Sequence, residues 1–371
     1  MADSKEDVLL LKAKKYSLAK YGLSILEGAY LTTLLLAFSG FGISENLADL
    51  LRQVNPNKYF LVPSYILVAS IFYYLLSFPL TIYRTFTLEH KFSLSNQKSL
   101  DWFSDQLKSV IISYIIATLL IGAFYFILKH FEKSWWWVYS LLWIFFSLIF
   151  AKLTPVVIIP IFFKYKKLSD ERLRQRIVNL ADKMKVKILD CFEIDFSRKT
   201  LKANAALVGV GSSRRVILAD TLKDKYTPDE IEVILAHEFA HYKLKHLLKL
   251  IAINTCVTVI CFYLLFKSSA LALKLFGFLS LQDIAFLPVI LIYFVLFGII
   301  MQPAECFLSR KLEKNADKYA LEVTGLKEAF ISMMKKLSAQ NLADRSPHHL
   351  IKFFFFDHPP VDERIKMAEL L

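Results

Sequence analysis

Apolar residues in this chain gather into runs separated by short charged segments. The runs are about 20 residues long, the length a helix rising 1.5 Å per residue needs to cross roughly 30 Å of hydrocarbon. The pattern predicts six spans, at about 22–42, 59–83, 107–129, 135–163, 248–273 and 283–305. The fourth run is long for one straight crossing and is interrupted by Lys152, Pro155 and Pro160, so the chain is expected to cross to about residue 152 and then bend along the interface or into the protein. Between the fourth and fifth spans the period changes. Leu173, Ile177, Leu180 and Met184 recur at helical spacing behind Ser169, which predicts an amphipathic helix over 169–184 with that serine as its N-cap. Strands are expected at 186–194, 205–210 and 215–218, the last two joined by a hairpin loop, Gly211-Ser212-Ser213-Arg214. Thr227-Pro228-Asp229-Glu230 offers a hydroxyl cap, a proline at the first helical position and a glutamate three residues after the threonine, the start of a helix over 228–247. After the sixth span a further helix is predicted over 306–324, with Leu308, Leu312, Ala316, Tyr319 and Ala320 along one side and Gly325 as its stop.

These elements divide the chain into four regions: 1–163, a membrane region with four spans; 164–247, a small α+β domain; 248–305, a two-span hairpin; and 306–371, a helical C-terminal segment. The fold class is mainly α, a multi-pass helical membrane protein of about six spans with an α+β domain on one face. Composition agrees. Of 371 residues, 56% are hydrophobic and 15% aromatic, and the mean hydropathy is +0.44; disordered, collagen-like and disulfide-framework chains do not look like this. Cys191, Cys256, Cys261 and Cys306 form no CxxC pair and read as small buried apolar residues.

A net charge of +13 raises the question of nucleic acid, but the placement of the charges answers it. Lys5, Lys12, Lys14, Lys15 and Lys20 precede the first span, Arg84, Lys91, Lys98 and Lys108 follow the second, and most of the rest lie in 164–247 and 306–371. The alternate loops hold only Arg52, Lys58, Lys129, Lys133, Lys267 and Lys274. This asymmetry predicts both termini and the α+β domain on the cytoplasmic side, with the bilayer and not a nucleic acid as partner. No small-residue cleavage pattern follows the basic start, so the first span is expected to stay in the mature chain. Glu27 and Lys152 lie within apolar runs, where an ionisable group either faces an aqueous interior or snorkels from a helix end.

The candidate chemistry stands on the capped helix, at His237-Glu238-Phe239-Ala240-His241. Histidines four apart share a helix face on successive turns, so both imidazoles can bind one zinc ion, and Glu238 can reach a water beside it as general base. By spacing alone the same residues also suit a solvated face with two hydrogen-bonded histidines. A catalytic zinc site needs a third protein ligand, and Glu313 is a candidate, with Asp317 four residues on placed to accept the other N–H of a ligand histidine. Two crossings separate this helix from the first, which returns the chain to the same side. Flanked by Lys311, Lys314 and Lys318, the two carboxylates also read as ordinary charged positions.

The histidine motif, Glu313 and Asp317 within Ser309-Arg310-x-x-Glu313-x-x-Ala316-Asp317, and Asn204-Ala205 before the hairpin resemble the type I CAAX prenyl proteases, integral-membrane zinc endopeptidases. So do Phe78-Pro79-Leu80-Thr81-Ile82-Tyr83-Arg84-Thr85-Phe86 with Glu89-His90-Lys91-Phe92, similar to the family's second-loop pattern, and His358-Pro359-Pro360 with Asp362 and Arg364. The resemblance runs from roughly residue 60 to the end. It implies one Zn2+ per chain in a zincin-like site, held by His237, His241 and Glu313, with Glu238 activating water and Asp317 supporting a ligand histidine. It further implies that Asn204 binds substrate backbone beside an edge strand at 205–210, and that His358 and Arg364 sit over the cleft, stabilising the oxyanion or holding substrate. Without the resemblance, His358 reads as a turn residue before two prolines. The implied setting is a large intramembrane chamber, lined by polar residues such as Glu27, Asn254 and Gln302 unless these are helix-to-helix contacts. The implied substrate is a prenylated C-terminus, cleaved after the modified cysteine to release a tripeptide. The implied membrane is the endoplasmic reticulum in a eukaryote or the inner membrane in a bacterium. Eukaryotic members have seven spans against six here, the shortfall lying near the N-terminus. A different substrate class follows if the chain is instead similar to the HtpX-like proteases, which cut misfolded membrane proteins with the same zinc chemistry; a membrane scaffold with a vestigial site is the non-enzymatic reading.

Overall fold

The computed structural model describes residues 2–55, 57–209 and 214–371. Its long helices are α1 (Ala2–Gly40), α3 (Lys58–Ile82), α5 (Ser99–His130), α6 (Trp135–Leu153), α11 (His246–Phe276) and α12 (Leu287–Thr324); the short α2 (Ile43–Val54) joins α1 to α3. Among the described residues, six helices are long and apolar enough to cross a membrane, as the apolar runs predict. Side chains such as Leu75, Phe145 and Leu296 are half or more exposed on their outer faces, the arrangement expected where lipid is the solvent.

Several boundaries differ from expectation, each for a local reason. α3 does not stop near residue 83 but runs through a π-turn at Tyr83–Thr87 into α4 (Leu88–Lys91), so the motif from Phe78 to Lys91 is helical rather than a loop. α6 likewise continues through a π-turn at Thr154–Ile158 into α7 (Ile159–Phe162). Pro155 has no N–H to give the ladder, and the wider turn absorbs that loss without ending the helix. The helix expected over 306–324 is the end of α12, 38 residues in one piece with Pro303 inside it. At 1.5 Å per residue it is about 57 Å long, far more than a bilayer core, so its last turns project beyond the membrane face. α1, equally long, projects on the same side: Ser17 Oγ donates to the carbonyl of Leu342 and Arg345 pairs with Glu6.

The α+β domain follows α7. β1 (Tyr165–Lys167), α8 (Glu171–Lys183), β2 (Asp190–Ile194), β3 (Ala205–Val208) and β4 (Arg215–Ala219) form a sheet of order β1-β2-β4-β3 with α8 packed against it. The first strand escaped the sequence reading, and the N-cap of α8 is Asp170, whose carboxylate accepts from Leu173 N, rather than Ser169. β3 and β4 pair antiparallel from Ala205↔Leu218 to Val208↔Arg215, as a hairpin requires; Gly211–Ser213 of the expected loop lie outside the described residues. β3 has β4 on one side and forms the edge of the sheet. After α9 (Asp220–Lys223) come α10 (Pro228–Lys243), the two membrane helices α11 and α12, then α13 (Lys327–Asn341), α14 (His349–Phe355) and α15 (Val361–Leu370).

Among the described residues two apolar cores are the largest. One, inside the membrane region, joins α2, α3, α5, α6, α11 and the start of α12 around Tyr65, Phe124, Trp135 and Phe262. The other joins α8, α10, β4, the end of α12, α13 and α15. α10 is apolar on nearly every side, with Val233, Leu235, Ala236, Phe239 and Ala240 all fully buried, so it is a core helix that its neighbours hold from turning. Its capping box is complete: Thr227 Oγ1 accepts from Glu230 N and Glu230 Oε2 accepts from Thr227 N. Glu230 also takes hydrogen bonds from Ser332 and Lys336, which ties the start of the helix to α13. Thr227→Ala should therefore cost about 1 kcal/mol, a cap's usual worth, visible as a lower thermal unfolding midpoint of the detergent-solubilised protein with an unchanged substrate preference.

Candidate metal centre

α10 and α12 cross where Ala236, Ala240, Ala316 and Ala320 are packed in one core, and these small side chains let the two helices come close. The approach brings the two halves of the motif together. His237 Nε2 lies 3.1 Å from Glu313 Oε2, His241 Nε2 lies 3.2 Å from Glu313 Oε1, and the two Nε2 atoms are 3.1 Å apart. One ligand atom from each of the three residues fits within 4.8 Å of the others. Two imidazoles and a carboxylate converging this tightly make a donor set that suits a divalent metal, and nitrogen with oxygen ligands in this number suit zinc. The residues present therefore fit the group.

The far nitrogen of His237 is engaged as well. Its Nδ1 faces Asp317 Oδ1 at 2.8 Å, and Asp317 is fully buried. A carboxylate there keeps the proton on Nδ1 and leaves the Nε2 lone pair directed at the metal position. Burial disfavours the charged form of His237, but Asp317 and Glu313 outweigh it and raise its pKa to about 9, so a metal ion would bind at Nε2 in place of a proton. Asp317 is in turn gripped by Arg364, through Nε at 2.7 Å and Nη2 at 2.5 Å. Expected over the cleft against substrate, this arginine directs its guanidinium at Asp317 in the fold, the carboxylate that faces His237. The reason is that α15 packs on the buried end of α12, so Arg364 arrives from within the core.

Glu238, half-buried next to His237 on α10, lies within the electrostatic field of the site. Burial, then Glu313, push its carboxyl above the ordinary value, while His237, His241 and His358 pull the other way. His358 arrives from the turn between α14 and α15. Its Nε2 is 3.3 Å from Glu313 Oε2 and its Nδ1 is 2.9 Å from Asp357 Oδ1, with about half of the side chain open to solvent. Burial alone would lower its pKa, but Asp357 and Glu313 raise it. Asn204, by contrast, is not in this network. It sits exposed at the entrance to β3, its carbonyl accepting from Ala219 N.

Residues outside the predicted site complete its frame. Arg310, one turn before Glu313, donates from Nη1 to the carbonyls of Lys352 and Phe356, which fixes the turn that carries His358. Glu89 accepts from Tyr16 of α1 and pairs with Lys202, two residues before Asn204. Leu201 N donates to Leu94 O and Ala203 N to Asn341 Oδ1. The approach to the edge strand is thus tied to the membrane helices on one side and α13 on the other. His246 lies with its Nδ1 3.2 Å from His241 Nδ1. Within the membrane region Glu27 pairs with Arg84, and both border a cavity of about 560 Å3 lined also by Ser24, Tyr73, Ser77, Thr81 and Thr85.

Residues 167–370 match peptidase family M48, and residues 2–164 match the family described as CAAX prenyl protease N-terminal, five membrane helices. Within 2–164 the described residues hold four helices long enough to span. The uncharacterized metalloprotease YhfN of Bacillus subtilis is 30% identical over 88% of this chain and 78% of its own. CAAX prenyl protease 1 of Saccharomyces cerevisiae is 28% identical, over 98% of this chain and 86% of its own. The crystal structure of Ste24p from S. mikatae shares the fold, with a TM-score of 0.88 at 24% identity, covering 98% of this chain and 89% of that one.

Proposed function

Because the chain belongs to peptidase family M48 and is a multi-pass membrane metallopeptidase of the CAAX type, we propose that it uses one zinc ion at His237, His241 and Glu313 to cleave the peptide bond after a prenylated cysteine near a protein's C-terminus. The observation that carries the zinc site is the meeting of two Nε2 atoms and one carboxylate within 4.8 Å, beside the half-buried Glu238. The prenylated substrate is supported by the relatives named CAAX prenyl protease 1 and by the site's position. Glu313 lies eight residues, about 12 Å along α12, beyond the last residue of the predicted sixth span, where a lipid anchored in the bilayer can hold its attached peptide. The lysine and arginine bias supports a cytoplasmic position for that face.

Zinc, when bound, supplies a Lewis acid that polarises the scissile carbonyl and lowers the pKa of water. The chain supplies the rest. Among the described residues β3 pairs with β4 on one side, and to its other edge an extended peptide can add as a further strand, with Asn204 at its entrance to hold substrate backbone. Glu238 takes the proton of the attacking water and passes it to the leaving amine, a task suited to a carboxyl that burial makes more basic than usual. His358, at the open side of the cleft, donates from Nε2 to the developing oxyanion, its Nδ1 held by Asp357. Asp317, itself held by Arg364, keeps His237 in the ligand tautomer.

The test follows cleavage of a farnesylated CAAX peptide, its unprenylated twin and an unfolded membrane protein by detergent-purified protein, with the Glu238→Ala variant as blank. A clear preference for the farnesylated peptide is expected. Equal or faster cleavage of the other two would replace this reading with a general membrane-protein protease of the HtpX-like kind.

A further inference from the structure

Resting on the metal site just assigned, we propose that His246 is a positioning residue for the second histidine ligand: it accepts the Nδ1 proton of His241 and so directs the Nε2 lone pair of His241 at the metal. His241 turns Nε2 toward His237 and Glu313, and its opposite nitrogen meets His246 Nδ1 at 3.2 Å, the rings nearly perpendicular with centroids 5.0 Å apart. A neutral imidazole with its lone pair on Nε2 carries its proton on Nδ1, and that proton needs an acceptor in a buried site. His237 has Asp317 for this purpose. His246 is the corresponding group for His241, a neutral acceptor in place of a charged one.

Two further observations mark His246 as more than packing. It is 1% exposed, and its Nε2 has no hydrogen-bond partner among the described residues. An imidazole buried with one nitrogen unmatched costs more than an apolar residue of similar size, so the contact to His241 is the part of the arrangement that uses its polarity. The backbone is also bent to make the contact. Had α10 continued as one helix, residue 246 would point about 140° around the axis from residue 241. Instead α10 stops at Lys243, Lys245 takes the left-handed conformation at φ 56° and ψ 35°, and His246 opens α11 facing back toward His241. A lysine is not a residue that adopts this conformation cheaply.

The experiment measures zinc affinity by competition with a chromophoric chelator on the full chain in detergent, beside thermal unfolding of each metal-free protein. His246→Phe keeps a planar ring but offers no acceptor, and is expected to weaken zinc binding about 10- to 100-fold, the usual effect of losing a partner behind a ligand, with the metal-free unfolding midpoint unchanged. His246→Asn returns an acceptor oxygen and should recover most of the affinity. A Phe variant that binds zinc as tightly as the parent would overturn the role, as would an Asn variant no better than Phe with both metal-free proteins melting low. A parent that binds no zinc would overturn the metal site itself; a parent that binds one zinc beside an equally tight Phe variant would overturn His246 alone.

Discussion

Glu238→Gln is expected to hold zinc as the parent does and to lose hydrolysis by about 10^2- to 10^4-fold in kcat, with KM little changed, the contribution a positioned general base makes. Glutamine keeps the length and shape of the side chain, so the packing of α10 survives; it removes the one property the mechanism needs, a basic oxygen. The expectation is specific because Glu238 is not one of the three groups that converge on the metal position. Its neighbour His237 is turned toward Glu313 and Asp317, whereas Glu238 only shares their electrostatic field. Metal content by elemental analysis and turnover of the farnesylated peptide, measured on the same preparation, separate the two functions. A Gln variant within tenfold of the parent would show that the proton goes elsewhere, and a variant without metal would show that Glu238 supports the ligands instead.

The parts of this molecule that a linear reading reaches are those set by a physical length or a short-range pattern. Hydrocarbon thickness dictates the apolar runs, and all six spans are recovered with shifted ends. The capping box at Thr227 depends on four adjacent residues and is present as expected. Contacts that depend on where the backbone turns are not legible in this way. His246 is five residues past His241 and looks like another polar position until Lys245 breaks the helix between them. Arg310 is quoted within a motif, yet its two carbonyl partners are 42 and 46 residues away. Arg364 looks like a cleft residue because it follows His358 closely, but the short α15 turns it into the core and onto Asp317. The end of the apolar run at 305 divides membrane hairpin from C-terminal segment in the sequence, but it is no break in the backbone; α12 passes through it and through Pro303 unbroken, since neighbouring helices and nearby polar groups can satisfy the carbonyl the proline frees. β1 is only three residues long and carries two exposed lysines, too little pattern to distinguish from a loop.

Glu313→Ala should abolish both zinc retention and activity, and the contrast with Asp317→Asn shows why the two carboxylates are not equivalent. Glu313 is the point where everything converges: His237, His241 and His358 all lie within 3.3 Å of its oxygens. Its removal takes away one of three protein ligands and leaves two imidazoles facing each other with no anion between them. The expected loss in turnover is on the order of 10^4-fold, the several kcal/mol a metal ion supplies to the transition state, and zinc content should fall well below one per chain even after reloading. Asp317 touches only the far nitrogen of His237, and asparagine there still offers an oxygen to that N–H while giving up the charge that Arg364 holds in place. The Asn variant should therefore still reach one zinc per chain when the metal is in excess, with affinity lowered about 10- to 100-fold. Titration with a competing chelator distinguishes the cases, since Glu313→Ala lowers the stoichiometry and Asp317→Asn the affinity. Full zinc occupancy in the Glu313→Ala protein would require another side chain to complete the site, and within this network His358, 3.3 Å from the carboxylate it would replace, is the group positioned to do so.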